Sequence, residues 1–214
     1  MIELDLALKI WSDELIRTIP SIPEIQVTYE LPSIYFVGKA GSGKSYNANF
    51  LIKKYGYYVA KFAYPIYMIA EKYLGMKEKD RKLLQILGTD IGRETINQDI
   101  WVNRFKEDMT IVQRTVKLAC AKPLRFVMDD CRFPNEHKVL KELGFVGIYL
   151  DVPEDLRKSR LIGRDGSAQE DTLNHKSETY VDSFKDELIR LDASGNLEDN
   201  YLKLNALLET LINR

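Results

Sequence analysis

A chain of 214 residues with 45% hydrophobic and 29% charged side chains is long enough for one α/β domain with a well-buried core, and its balance sets aside the disordered and membrane-spanning classes. Its 31 basic and 32 acidic side chains leave a formal charge of −1, so a broad electrostatic grip on nucleic acid is not expected. Two cysteines, Cys120 and Cys131, are too few for a disulfide framework, and two histidines, His137 and His175, offer no zinc cluster.

Leu4, Leu8, Trp11, Leu15 and Ile19 recur every three or four residues, which predicts an amphipathic helix closed by Pro20 and Pro23 and set apart, over residues 1–31, as an extension before the main domain at 32–214. The opening Met1-Ile2-Glu3-Leu4-Asp5 lacks the basic start of a secretory signal and no apolar run reaches spanning length, so a cytoplasmic protein without a membrane partner is expected. Ile34-Tyr35-Phe36-Val37 reads as a buried strand, followed by a helix with Ala48, Leu51, Ile52 and Tyr55 on one face and Gly56 as its cap. A second strand is expected over 57–62, then a helix from Pro65 to Gly75, a shorter one from Asp80 to Leu87 ended by Gly88, and a long one after Asp99 that places Val102, Phe105, Met109, Val112, Val116 and Ala119 on one face. Leu124–Asp129 and Phe145–Leu150 read as strands around a helix from Pro134 to Leu143. Another helix opens at Pro153, Leu188–Leu191 suits a fifth strand, and Leu197, Tyr201, Leu204, Leu208 and Leu211 line the last helix. This alternation predicts a mostly parallel five-stranded sheet with helices on both faces.

Gly38-Lys39-Ala40-Gly41-Ser42-Gly43-Lys44-Ser45 matches Gly, four residues, Gly, Lys, Ser, the phosphate loop in which main-chain N–H groups and a helix N-terminus surround phosphate oxygens. ATP is therefore expected on Gly38, Ala40, Gly41, Ser42, Gly43, Lys44, Ser45 and the adjoining Tyr46, with Lys44 at the β- and γ-phosphates and the Ser45 hydroxyl on Mg²⁺. A magnesium site in such a fold needs an acid on a neighbouring strand, and the strand ending at Met128 is followed by Asp129 and Asp130. Arg157, Arg160 and Arg164 follow at spacings of three and four, and Gly163 and Gly166 flank the last. They suit either a solvated helix face or an arginine lid that neutralises transferring phosphate.

Leu84-Gln85-Ile86-Leu87-Gly88-Thr89-Asp90-Ile91-Gly92-Arg93, Trp101-Val102-Asn103, Asp130-Cys131-Arg132-Phe133-Pro134-Asn135-Glu136 and His175-Lys176-Ser177-Glu178 together resemble the deoxynucleoside monophosphate kinases of bacteriophages, over most of the chain from Ile34 onward. The resemblance implies a P-loop NTPase fold of the nucleoside monophosphate kinase kind, with a helical acceptor-binding insertion at 64–120 and a lid at 155–180. It implies transfer of the γ-phosphate of ATP, with magnesium, to a deoxynucleoside 5′-monophosphate. Position by position it ranks Asp130 above Asp129 for the metal, makes Arg132 a phosphate contact, and brings Phe62, Gln85, Asp90, Arg93, Trp101 and Glu178 to the acceptor. Lys44, Arg132, Arg157, Arg160 and Arg164 become the catalytic cations. Trp101 suits stacking on a base or filling the core. Ser45 and the Phe62-Ala63-Tyr64-Pro65-Ile66-Tyr67 corner depart from the family pattern, which often has Asp after the loop lysine and an acid and a lysine around that proline.

Two other readings accompany this one: a kinase for another phosphorylated acceptor, of the phosphomevalonate or dephospho-coenzyme A kind, and an ATP-binding switch or motor subunit. The long helix after Ile100 suits either pairing in a homodimer or internal packing.

Overall fold

A computed structural model describes residues 31–118, 124–165 and 180–212, apart from the side chains of Arg164 and Asp165. The expected helix at 4–19, His175 and Glu178 lie outside the described residues.

Five strands form one parallel sheet: β1 (Ile34–Val37), β2 (Tyr58–Val59), β3 (Phe126–Met128), β4 (Val146–Asp151) and β5 (Ile189–Asp192), in the order β2-β3-β1-β4-β5. β1 is central and all four of its side chains are buried. Its period-2 alternation divides the core: Ile34 and Phe36 face one side of the sheet with Val127, Ile148, Leu150 and Leu191, and Tyr35 and Val37 face the other with Phe126, Met128 and Phe105. Both faces of a parallel sheet must be covered, which is why these strands are continuous apolar runs.

On the first face lie α1 (Lys44–Tyr55) and the last helix, α7 (Leu197–Ile212), joined by Leu51, Leu204 and Leu208 in the core, by the stacked rings of Phe50 and Tyr201 at 4.2 Å, and by Tyr55 Oη donating to Asn205 Oδ1 at 2.6 Å. Gly56, at φ 66°, ends α1 as its sequence position suggested. On the opposite face lie α4 (Ile100–Leu118) and α5 (Pro134–Glu142). The buried residues of α4, Trp101, Val102, Phe105 and Met109, lie in its first half, Val112 packs against the core half-buried, and Leu118 at its far end is exposed. The helix therefore outruns the sheet it covers.

Between β2 and α4, α2 (Tyr64–Met68) continues into a π-helical turn at Ile69–Tyr73, and α3 (Arg81–Gln85) into π-helical turns at Ile86–Ile96. Asp80 caps α3 by accepting from Leu83 N at 3.0 Å. The expected stop at Gly88 does not occur. Gly88 and Gly92 are buried contact points: Trp101 Nε1 donates to Gly88 O at 2.8 Å, and a Cβ on Gly92 would meet Trp101 Cζ2 at 2.6 Å. The absent side chain of Gly92 admits the indole and that of Gly88 admits Ile66, so these glycines serve packing rather than termination.

β2 is shorter than the expected 57–62 because its sole neighbour in the sheet, β3, spans three residues. α6 (Glu154–Asp165) follows β4, and two 3₁₀ turns, Tyr180–Ser183 and Lys185–Glu187, precede β5. The sequence pattern did not suggest these turns. They are held to α5 by His137, whose ring stacks on Phe184 at 4.8 Å, whose Nδ1 meets Tyr35 Oη at 2.8 Å, and whose partner Glu187 also accepts from Lys141 at 2.8 Å.

Gly147 of β4 has no room for a side chain, since a Cβ there would lie 2.4 Å from Tyr35 Cζ and 2.5 Å from Leu188 Cδ2. Gly147→Ala should lower unfolding stability by about 1–3 kcal/mol, read as a lower urea midpoint at unchanged slope.

Candidate active site

The strands' carboxyl ends carry the chemistry, as the topology of an open parallel sheet requires. β1 delivers the phosphate loop directly into α1. Gly41 and Gly43 adopt φ of 81° and 91°, left-handed values that a side chain disfavours, and they curl the main chain around the start of the helix. Gly41 is doubly constrained, because a Cβ would meet Arg157 O at 2.5 Å. Ser42 N donates to Lys39 O at 3.1 Å, and Asn47 Nδ2 donates to Gly43 O at 3.0 Å, bracing the loop from inside and behind. Lys44 Nζ donates to Gly38 O and, at 3.3 Å, to Lys39 O, so its ammonium lies within the loop's own curve. Ser42 is buried, and Ser45 and Tyr46 are exposed.

The two acids that follow β3 part company. Parallel pairing of β1 with β3 sets Asp129 beside the loop, where Ser45 Oγ donates to Asp129 Oδ2 at 2.6 Å. Burial opposes ionisation of Asp129, yet the Lys61 ammonium at 3.2 Å and the Ser45 hydrogen bond outweigh it and hold the carboxyl below its usual range. Asp130 turns the other way and accepts from Ala63 N at 2.9 Å through Oδ2, and among the described residues Oδ1 has no hydrogen-bond partner. Burial, opposed by that N–H and reinforced by Glu136 and Asp129, raises Asp130 to about 7. The sequence ranking of Asp130 above Asp129 is thus reversed in geometry: Asp129 is on Ser45, and Asp130 secures the β2–α2 corner. Successive residues leaving a strand point to opposite sides, and a run of two identical acids does not say which faces the loop.

Arg93 and Arg132 are also separated. Arg93 is buried against Glu136 in an ion pair, donates to Gln98 O at 3.2 Å, and stacks 4.1 Å from the Phe133 ring centroid. Its charge is committed inside the fold instead of being presented to a ligand. Arg132 is exposed, and its main-chain N–H donates to Glu136 at 2.7 Å. Glu136, which sequence reading left without a role, therefore collects Arg93 and the N–H groups of Arg132 and Phe133. The available signal was its place three residues after Phe133, where a glutamate reaches back to the start of a helix. Lys61 was missed as well, since a lysine ending an edge strand has no sequence signature.

Two of the three arginines expected to form one lid point to different places. Arg157 donates to Ala40 O at 3.2 Å at the loop's tip. Arg160, one turn on, donates to Ala193 O at 3.1 Å and Gly195 O at 3.0 Å beyond β5, away from that tip. The side chain of Arg164 lies outside the described residues. Gln85 and Asp90 are exposed on the inserted helices, Phe62 is buried against Phe105 at 4.6 Å, and Trp101 fills the core with its indole N–H already bound. Among the described residues no group of three His, Cys, Asp or Glu side chains could hold a metal, and no helix is long and apolar enough to cross a membrane.

The parallel sheet with a phosphate loop between its central strand and α1 is a P-loop NTPase fold. Comparison of whole chains agrees: a gluconokinase from Sinorhizobium meliloti 1021 superposes with a TM-score of 0.54 at 17% identity, covering 85% of this chain and 94% of that one. TT1252 from Thermus thermophilus does so with 0.57 at 20% identity, covering 85% and 99%. In sequence the chain is similar to viral deoxynucleotide kinases, as the motifs suggested. It is 27% identical over 198 residues to the "Putative deoxynucleotide monophosphate kinase" of Acanthamoeba polyphaga mimivirus, covering 80% of this chain and 93% of that protein. It is 36% identical over 62 residues to the deoxynucleoside-5′-monophosphate kinase of Escherichia phage T5, covering 29% and 21%. It is also 28% identical over 157 residues to the uncharacterized protein ORF77 of Ictalurid herpesvirus 1 (strain Auburn), where it covers 72% of this chain and spans 60% of that protein's length. No protein-family model matches the chain.

Two expectations follow from the acids. Arg93→Met leaves Glu136 buried without its cation and should cost about 3–5 kcal/mol of stability, measured by chemical denaturation. Asp130 keeps its proton in the folded chain up to about pH 7, whereas an unfolded aspartate releases it near about pH 4. Its contribution is therefore fully present below pH 4 and lost as pH rises through 7. In metal-free buffer, Asp130→Asn should flatten the fall of the urea midpoint between pH 5 and pH 8.

Proposed function

We propose that the chain is a phosphotransferase that moves the γ-phosphate of ATP to a deoxynucleoside 5′-monophosphate and yields the diphosphate. The observation that carries this reading is the Ser45–Asp129 hydrogen bond at the mouth of the phosphate loop, 2.6 Å long, which places a hydroxyl and an ionised carboxylate where a triphosphate's charge would lie. The names of the mimivirus and phage relatives supply the acceptor class.

The main-chain N–H groups of the loop and the N-terminus of α1 bind the donor phosphates, and Lys44 swings from the carbonyls of Gly38 and Lys39 to the β- and γ-oxygens. Hard oxygen donors of this kind fit magnesium, which Ser45 and Asp129 would hold and which, when bound, neutralises charge on the β- and γ-phosphates. Arg157, in reach of Ala40, closes the loop's outer side. The segment from Tyr64 to Leu118, inserted between β2 and β3, forms the acceptor side, with Gln85 and Asp90 among its exposed polar groups and Arg132 exposed after β3. An oxygen of the acceptor phosphate attacks the γ-phosphorus, and the bond to the β–γ bridging oxygen breaks to release ADP. That acceptor has a second pKa near about 6 and is already anionic at neutral pH, so positioning and charge neutralisation suffice without a general base.

Lys44→Ala should lower kcat/KM by about 10²–10³-fold while the circular dichroism and unfolding midpoint stay near the wild type. A coupled ADP-release screen of dAMP, dGMP, dCMP, dTMP and their ribose counterparts tests the acceptor class. Turnover with none of them, alongside turnover with another phosphorylated metabolite, would overturn it.

A further inference from the structure

Lys61 is paired with Asp129, the acid that meets Ser45 of the phosphate loop, and no motif assigns it. It stands two residues past β2, as Asp129 stands just past β3 and Gly38 just past β1, so all three lie on the carboxyl edge of the sheet in the strand order β2, β3, β1. Strands are spaced by about 4.8 Å, which places the roots of Lys61 and the phosphate loop about 10 Å apart with Asp129 between them. The main chain around Lys61 is held on both sides: Ala60 N donates to Val127 O at 3.1 Å, and Ala63 N donates to Asp130 Oδ2 at 2.9 Å. Phe62 is buried against Phe105, so the pleat aims Lys61 away from the core and over β3.

There its ammonium meets Asp129 at 3.2 Å while the side chain stays 42% exposed. Asp129 already accepts from Ser45 and feels the charge of Lys44. Lys44 and Lys61 thus both act on the Asp129 carboxylate, at the gap between the phosphate loop and the β2–α2 corner. Arg93 is not available to use that gap, being paired with Glu136.

We propose that Lys61 binds the phosphate of the acceptor, a nucleotide phosphomonoester dianion, and that Asp129 holds its ammonium in position over β3. The inference rests on the proposed function and adds to it the group that seats the acceptor phosphate opposite the phosphate loop.

The test is equilibrium binding, by calorimetry in metal-free buffer without ATP, of the deoxynucleoside monophosphate that the wild type phosphorylates, with its unphosphorylated deoxynucleoside as control. Lys61→Met should weaken the monophosphate about 10- to 100-fold and leave the deoxynucleoside unchanged. Lys61→Arg should retain most of the monophosphate binding. In turnover, Lys61→Met should raise the KM for the monophosphate far more than the KM for ATP. Lys61→Gln repeats the test should Lys61→Met lower the unfolding midpoint. Unchanged monophosphate binding, equal weakening of the deoxynucleoside, or equal rises in both KM values would each overturn the proposal while leaving the kinase reading intact. A wild-type protein that neither binds nor phosphorylates any deoxynucleotide would overturn both.

Discussion

Parallel pairing of β1 with β3 is the constraint on which the site depends. β1 ends in the phosphate loop and β3 ends in two acids, and the register of Ile34 with Val127 and Tyr35 with Met128 brings Asp129 to Ser45. A shift of β3 by one residue would exchange its faces, removing Phe126 and Met128 from one half of the core and presenting Asp130 to the loop. Burial of apolar side chains on both sides of the sheet therefore decides which acid meets Ser45 of the phosphate loop. The chemistry at the edge is a consequence of how the core is filled.

Charge in this region is sorted by depth. Arg93 and Glu136 neutralise each other inside the fold, joining the inserted helices to the β3–α5 turn, and Asp130 is buried where its ionisation is opposed. Asp129, Lys44, Lys61, Arg132 and Arg157 lie nearer the opening. Four of these five groups are cations, a balance that favours anionic ligands. The 3₁₀ turns before β5 add to this arrangement: Asp182 pairs with Lys39 of the phosphate loop at 2.8 Å, and Glu187 ties the same segment to α5.

Glycines mark the places where main chain must come close. In the phosphate loop, Gly41 leaves room for the carbonyl of Arg157, and in the inserted segment Gly92 leaves room for the indole of Trp101. The first lets α6 reach the loop tip. The second lets the π-helical turns lie against α4, with Trp101 packed between them.

The phosphate loop, the strand before it, the helix after it and the βα alternation were legible in the sequence because each is local. A run of buried apolar residues, a spacing of glycines and a helical period need no knowledge of distant parts of the chain. The choice between Asp129 and Asp130, the pairing of Arg93 with Glu136, the turning of Arg160 toward Ala193 and Gly195, and the place of Lys61 over β3 were decided by the tertiary structure alone. In each case two or more segments far apart in sequence compete for one charged group. Only strand register and helix packing determine which of them comes within hydrogen-bonding distance.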